Sequence, residues 1–167
     1  MAIVVEDGTV VAGANSYITL AEARAYGVLY GVTISAVDAA AEVLSHKAVR
    51  YLEARRNQYQ GTKVSVDQPL QWPRYDVVVD CFDVLSTTIP EILKQAQYEL
   101  MAELTAGNEI DPSRLAGAAG EVTKRRLEGV VEVNYAEGTN PLYSRFTRAE
   151  SLLAPLYKSS GLRMVRV

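Results

Sequence analysis

Apolar side chains return along this chain at two different periods, and the longer period is the stronger. From Val37 onward, Val37, Ala40, Ala41, Leu44, Ala48, Tyr51 and Leu52 recur at three- and four-residue steps, the repeat that lines one side of a helix. With Ser35 placed to cap it, a helix is expected to run to about Arg56. A second stripe, Ile92, Leu93, Ala96, Leu100 and Leu104, follows Thr88, Ile89 and Pro90. Proline opens a helix well, because the first turn does not use its missing N–H, and Gly107 with Asn108 supplies the stop. Two helices of this length, each with one apolar face, are expected to pack on each other. Shorter helices flank them. Thr19 with Glu22 three residues on fits a capping box, for a helix ending near Gly27 or Gly31. Leu152, Leu153 and Leu156 mark a last helix from about 148 to 157, shortened or kinked by Pro155.

The two-residue period is confined to short runs. "IVVEDGTVV" places β-branched residues on both sides of Asp7-Gly8, a turn dipeptide that predicts a tight hairpin. "EVTKRRLEGVVEVNYA" predicts another over about 121–136, where Val131, Val133 and Tyr135 alternate with Glu132 and Asn134 about a turn at Gly129. Residues 57–87 form a long excursion without helical period, in which "YDVVVDCFDV" reads as a short strand pair or a covering loop. The fold class expected is mainly α with minor β: a small bundle of two long and two short helices, with a projecting β-hairpin and an extended C-terminal arm. One domain over 1–161 carries the hairpin as an insertion, and 162–167 forms the arm.

Charge modifies this picture more than composition does. The chain has 167 residues, 49% hydrophobic and 22% charged, enough for one domain with a real core. From Arg145 to the end, five basic residues face Glu150 alone, a net +4, so a formal total of −3 leaves −7 on the preceding residues. An acidic body repels phosphate, since nucleic-acid affinity comes largely from Lys and Arg contacts that release counterions. The longest apolar run falls well short of the ~20 residues of a membrane span, and the acidic turn in "MAIVVEDGTV" does not resemble a secretory leader. A soluble, unexported chain is expected. Cys81 is the only cysteine, which excludes an internal disulfide and a multi-cysteine zinc site.

Few residues suggest chemistry. His46 is the only histidine and lies on the flank of a predicted helix, where an edge position suits it better than catalysis. Asp76, Asp80 and Asp83 supply oxygen ligands, but their spacing matches no calcium loop. "AGAAGE" lacks the lysine and hydroxyl of a phosphate loop. No catalytic residue, metal or cofactor is therefore expected. Lys124, Arg125 and Arg126 fall in a predicted hairpin strand, where they either touch nucleic acid or an acidic partner or protect a sheet edge, the reading three charges favour. Ten tyrosines against two phenylalanines suggest a surface that becomes buried against a partner. The one tryptophan lies in "QPLQWPR". Trp72 serves either as a plug that a Pro-restricted loop drops onto the core or as a stacking platform for unpaired bases. With only Lys63 and Arg74 near it, the plug reading is the stronger.

Taken in order, "ANSYITLAEARAY", "DQPLQWPR", "IPEILKQAQYELMAEL", "VVEVNYAEG" and "SLLAPLY" resemble a family of small tailed-phage proteins. These are catalogued partly as DnaT-like single-stranded-DNA-binding proteins and are similar to head-to-tail connector adaptors, or head completion proteins. The resemblance implies a structural virion protein and not an enzyme. It would be made in the host cytoplasm and sit at the head–tail junction as a homo-oligomeric ring, commonly dodecameric, that binds the portal protein above and a tail or stopper protein below. Double-stranded DNA would pass through without specific binding, and no membrane is involved. The arm Leu162, Arg163, Met164, Val165, Arg166 and Val167 would bind the portal. Trp72 and Pro73 would anchor the central loop, and Lys124, Arg125, Arg126 and Tyr135 would form the hairpin interface. The alternative function is a DnaT-like single-stranded-DNA-binding replication protein.

Overall fold

A computed structural model describes residues 2–108 and 146–158 in full, and 122–128 and 130–135 by their backbone. The chain divides into two compact units, Met1–Ile110 with Arg148–Val167, and Asp111–Thr147. Among the described residues four α-helices dominate, with β-structure limited to two-stranded antiparallel sheets, so the fold is mainly α with minor β. The two long helices are α2 (Asp38–Ala54) and α3 (Glu91–Thr105), and they pack on each other. The short ones are α1 (Leu20–Leu29), which contacts both, and α4 (Thr147–Leu153). A 3-10 turn at Ala154–Leu156 continues α4, with Pro155 in its first positions. The stop predicted for that helix is therefore where the proline sits.

Local signals explain most element ends. The Thr19 side chain accepts from the Glu22 N–H at 3.1 Å, and the Glu22 carboxylate accepts from the Thr19 N–H at 2.7 Å. This is the predicted capping box, and the Thr19 N–H bond also lowers the pKa of Glu22. Gly107 ends α3 with a φ of +87°, the left-handed stop that glycine reaches without strain.

Two expectations about α2 are corrected. Ser35 does not cap α2: its hydroxyl accepts from the Val37 N–H, and Val37 occupies the cap position with no side-chain bond. The helix is also turned about its axis relative to the predicted stripe. Val37 and Ala40 are exposed, whereas Ser45 and Val49 join Ala41, Ala48, Tyr51 and Leu52 inside. Ser45 can be buried because its hydroxyl has partners: Gln97 on α3 donates to it at 3.1 Å and to Ser16 at 2.9 Å, while Tyr17 N–H donates to the Gln97 amide oxygen at 3.1 Å. A satisfied polar node of this kind fixes how α2, α3 and the N-terminal segment meet.

The Asp7-Gly8 hairpin does not form. Strand contact in this region is an isolated parallel bridge between Val5 and Ser16. The N–H groups of Gly8, Val10 and Val11 donate instead to the buried carboxylate of Glu6, at 2.9, 3.0 and 2.9 Å. Gly8 is still required, at φ +109°, since a Cβ there would lie 2.1 Å from the carbonyl oxygen of Thr87.

The excursion between α2 and α3 is built around its own strands. β1 (Thr62–Lys63) pairs with β2 (Arg74–Tyr75), and β3 (Val77–Val79) with β4 (Phe82–Val84) in the register Val77↔Val84, Val79↔Phe82. In the second unit, β5 (Val122–Glu128) pairs with β6 (Val130–Tyr135), the predicted hairpin, with a register shift between Val122 and Lys124.

Candidate interaction surfaces

Burial decides the role of the central loop. Trp72 is 0% exposed, packed edge-on against Tyr59 with ring centroids 5.6 Å apart and planes at 76°. It is the plug, and its ring face is closed to any base. The Trp72–Pro73 peptide is cis, and Pro73 is buried beside it. Three neighbours hold the loop down. Glu53 of α2 accepts from the Tyr17 hydroxyl at 2.6 Å and the Gln71 N–H at 3.1 Å. Gln68 donates to the carbonyls of Leu70 and Pro73. Arg74, one of the two cations placed near Trp72 by the sequence, is buried and spends its guanidinium on the carbonyls of Gln60 and Gly61, both at 2.7 Å. Burial lowers its pKa, and it is not presented to solvent. Lys63 donates to the carbonyl of Gln68.

Most of the described tyrosines likewise serve the chain's own interior, while Tyr30 and Tyr75 are exposed. Tyr17, Tyr51, Tyr59 and Tyr98 are buried, and several hydroxyls end on carboxylates: Tyr17 on Glu53, Tyr26 on Glu99, and both Tyr51 and Tyr157 on Glu150. Burial, reinforced by these acidic partners, raises the pKa values of Tyr17, Tyr26, Tyr51 and Tyr157. Burial also pushes Tyr98 up to about 12. Glu150 pairs with Arg55 at 2.5 Å as well, which fastens α4 to α2. Tyrosine abundance here reflects an amphipathic core whose polar ends are satisfied, and sequence counts cannot distinguish that from a partner surface.

The apolar surface left exposed lies elsewhere. At the end of α1, Val28 and Leu29 are each 80% exposed beside a shallow cleft of about 440 Å³, lined in part by Val28, Val32 and Ile34. The titratable side chain in its wall, Arg24, is committed to the carbonyls of Ser35 and Ala36 and to Asp38 at 2.7 Å. On the β3–β4 hairpin, Phe82 is 77% and Leu85 69% exposed, with Val78 and Tyr75 partly so. The hairpin turns on Asp80 and Cys81, both at positive φ, +52° and +69°. That is the backbone a two-residue turn demands, occupied by residues that bear strain there. No group of three or more His, Cys, Asp or Glu among the described residues is placed to hold a metal, so Asp76, Asp80 and Asp83 do not converge on one point. His46 lies half-buried on the flank of α2, as its spacing predicted.

Lys124, Arg125, Arg126 and Tyr135 are in β5 and β6, where Lys124 pairs with Asn134, Arg125 with Val133, Arg126 with Glu132 and Tyr135 with Val122. The arm Leu162–Val167 lies outside the described residues. No helix among the described residues is long and apolar enough to cross a membrane.

The whole chain, residues 1–167, matches the family described as "Putative DnaT-like ssDNA binding protein", and it belongs to that family. Neither the curated proteins nor the solved structures gave a match.

Proposed function

We propose that this chain is a structural adaptor of the head-to-tail connector type. Copies associate side by side into a ring, commonly dodecameric in proteins it resembles. The ring docks under a portal protein through the arm Leu162–Val167, and a tail or stopper protein sits below. The observation that carries this reading is the placement of apolar side chains. Trp72 and most of the described tyrosines are spent on the interior, whereas Val28, Leu29, Phe82 and Leu85 are left in water. Exposed apolar surface of this kind suits a protein partner. The acidic body suits a channel through which DNA slides, because charges of like sign do not hold phosphate.

The family's description favours a second reading, single-stranded-DNA binding, and does not speak for the connector. Under that reading the basic run Lys124, Arg125 and Arg126 in β5 supplies the phosphate contacts, since Trp72 is unavailable for stacking. Two measurements separate them. Fluorescence anisotropy of a labelled, unstructured oligonucleotide at low salt would rise and saturate for the DNA binder, with salt-sensitive affinity weakened by neutralising Lys124, Arg125 and Arg126. Electron microscopy of the protein mixed with its own phage's portal would add a ring of density for the adaptor. A saturable isotherm together with a bare portal would overturn the connector proposal.

A further inference from the structure

Two surfaces of the first unit are complementary, and neither is covered by the described residues. The first is the outward face of α2, where Ala39, Ala40, Val43, Lys47, Arg50 and Ala54 recur at helical spacing and are all exposed, Val43 at 52%. Its first half is apolar, its second half is basic, and it carries no acidic residue. The second is the β3–β4 hairpin. Val78, Phe82 and Leu85 are exposed there beside Asp76, Asp80 and Asp83, and no basic residue occurs from Tyr75 to Leu93. None of these five charged side chains takes part in an ion pair among the described residues. Each surface thus combines apolar area with charge of one sign, and the signs are opposite.

We infer that the outward face of α2 in one copy receives the β3–β4 hairpin of a second copy. Val78 and its cross-strand partner Asp83, which share one face of the hairpin, lie against Val43 and Lys47, and Asp80 at the turn lies against Arg50. The two patches differ, so the contact is head-to-tail: it repeats from copy to copy and closes as a ring or runs on as a filament. Opposite charge guides the encounter and sets which way round the copies meet. The inference rests on the self-association proposed above and identifies the surfaces that carry it.

Cys81 stands exposed at the hairpin tip and makes the contact testable in the full-length protein. Wild type is mixed with a mass-tagged Val43→Cys/Cys81→Ser variant under mild oxidation, with Val66→Cys/Cys81→Ser as the control at a fully exposed loop position. Cross-linked heterodimer is expected to form about tenfold faster with the cysteine at 43 than at 66, because docking raises the local thiol concentration. Adding Lys47→Glu and Arg50→Glu to the tagged chain should bring that rate down to the control, and Asp83→Lys in its partner should recover part of it. Sedimentation equilibrium of the wild type is run in parallel. Association with equal cross-linking at 43 and 66 overturns these surfaces and leaves self-association standing. If the protein neither associates nor cross-links above the control, both ideas fall.

Discussion

Replacing Trp72 tests how the central loop is held and, at the same time, whether this loop can meet DNA. The ring is 0% exposed and stands edge-on to Tyr59. Its Nε1 has no hydrogen-bond partner among the described residues. Truncating a buried Trp to Ala costs about 3–5 kcal/mol, part of it lost transfer energy and part the cavity left behind. Total stabilities run to about 5–15 kcal/mol, so Trp72→Ala should remove about a fifth or more, a fall in Tm of roughly 6–20 °C at ~2–4 °C per kcal/mol. Trp72→Phe should cost much less, under about 2 kcal/mol, because it also removes an unpartnered buried N–H, itself worth about 1–3 kcal/mol of penalty. Urea melts followed by far-UV circular dichroism measure both. As the only tryptophan, Trp72 also reports on itself: native emission should be blue-shifted, shielded from iodide, and unchanged when an unpaired oligonucleotide is added. Solvent-like emission in the native protein, quenching by the oligonucleotide, or a Trp72→Ala loss below about 0.5 kcal/mol would refute the plug.

Three further outcomes are expected. Cys81→Gly should stabilise the β3–β4 hairpin by about 1 kcal/mol, since glycine takes φ +69° without the strain cysteine carries; amide exchange of Phe82 and Val79 should slow, and unchanged exchange would count against a strained turn. Glu6→Ala should cost about 2–4 kcal/mol, because one buried and two part-buried N–H groups lose their acceptor together; urea melts would contradict this if the loss were under about 1 kcal/mol. Burial raises the pKa of Glu53 above 4.5, against the pull of its Tyr17 and Gln71 bonds. The native carboxyl therefore holds its proton more tightly than the unfolded one, and its contribution to stability falls as pH rises through the raised value. Glu53→Gln keeps an oxygen for both donors, so its stability relative to wild type should improve as pH rises from 4.5 through the raised value, and melts at several pH values should show that slope.

Much of this protein is determined by local chemistry that can be read in order along the chain. The capping box at Thr19 and Glu22, the stops at Gly107 and Pro155, the two long helices and the β5–β6 hairpin all depend on residues within a turn or two of each other. Trp72 could be read as a plug because its two prolines and scarcity of free cations are also local facts. Tertiary structure alone decided the rest. The face that α2 buries depends on whether Ser45 finds partners, and those come from Gln97 and Ser16 on distant segments. Asp7-Gly8 became a loop wound round Glu6 because a buried carboxylate outcompeted a strand partner for three N–H groups. Tyrosine hydroxyls turned inward because Glu53, Glu99 and Glu150 were folded to within reach of them. A side chain's type sets what it needs, but long-range packing sets whether the core or the solvent supplies it. That is why the exposed hairpin and the outward face of α2, where function is proposed, had no separate signature in the sequence.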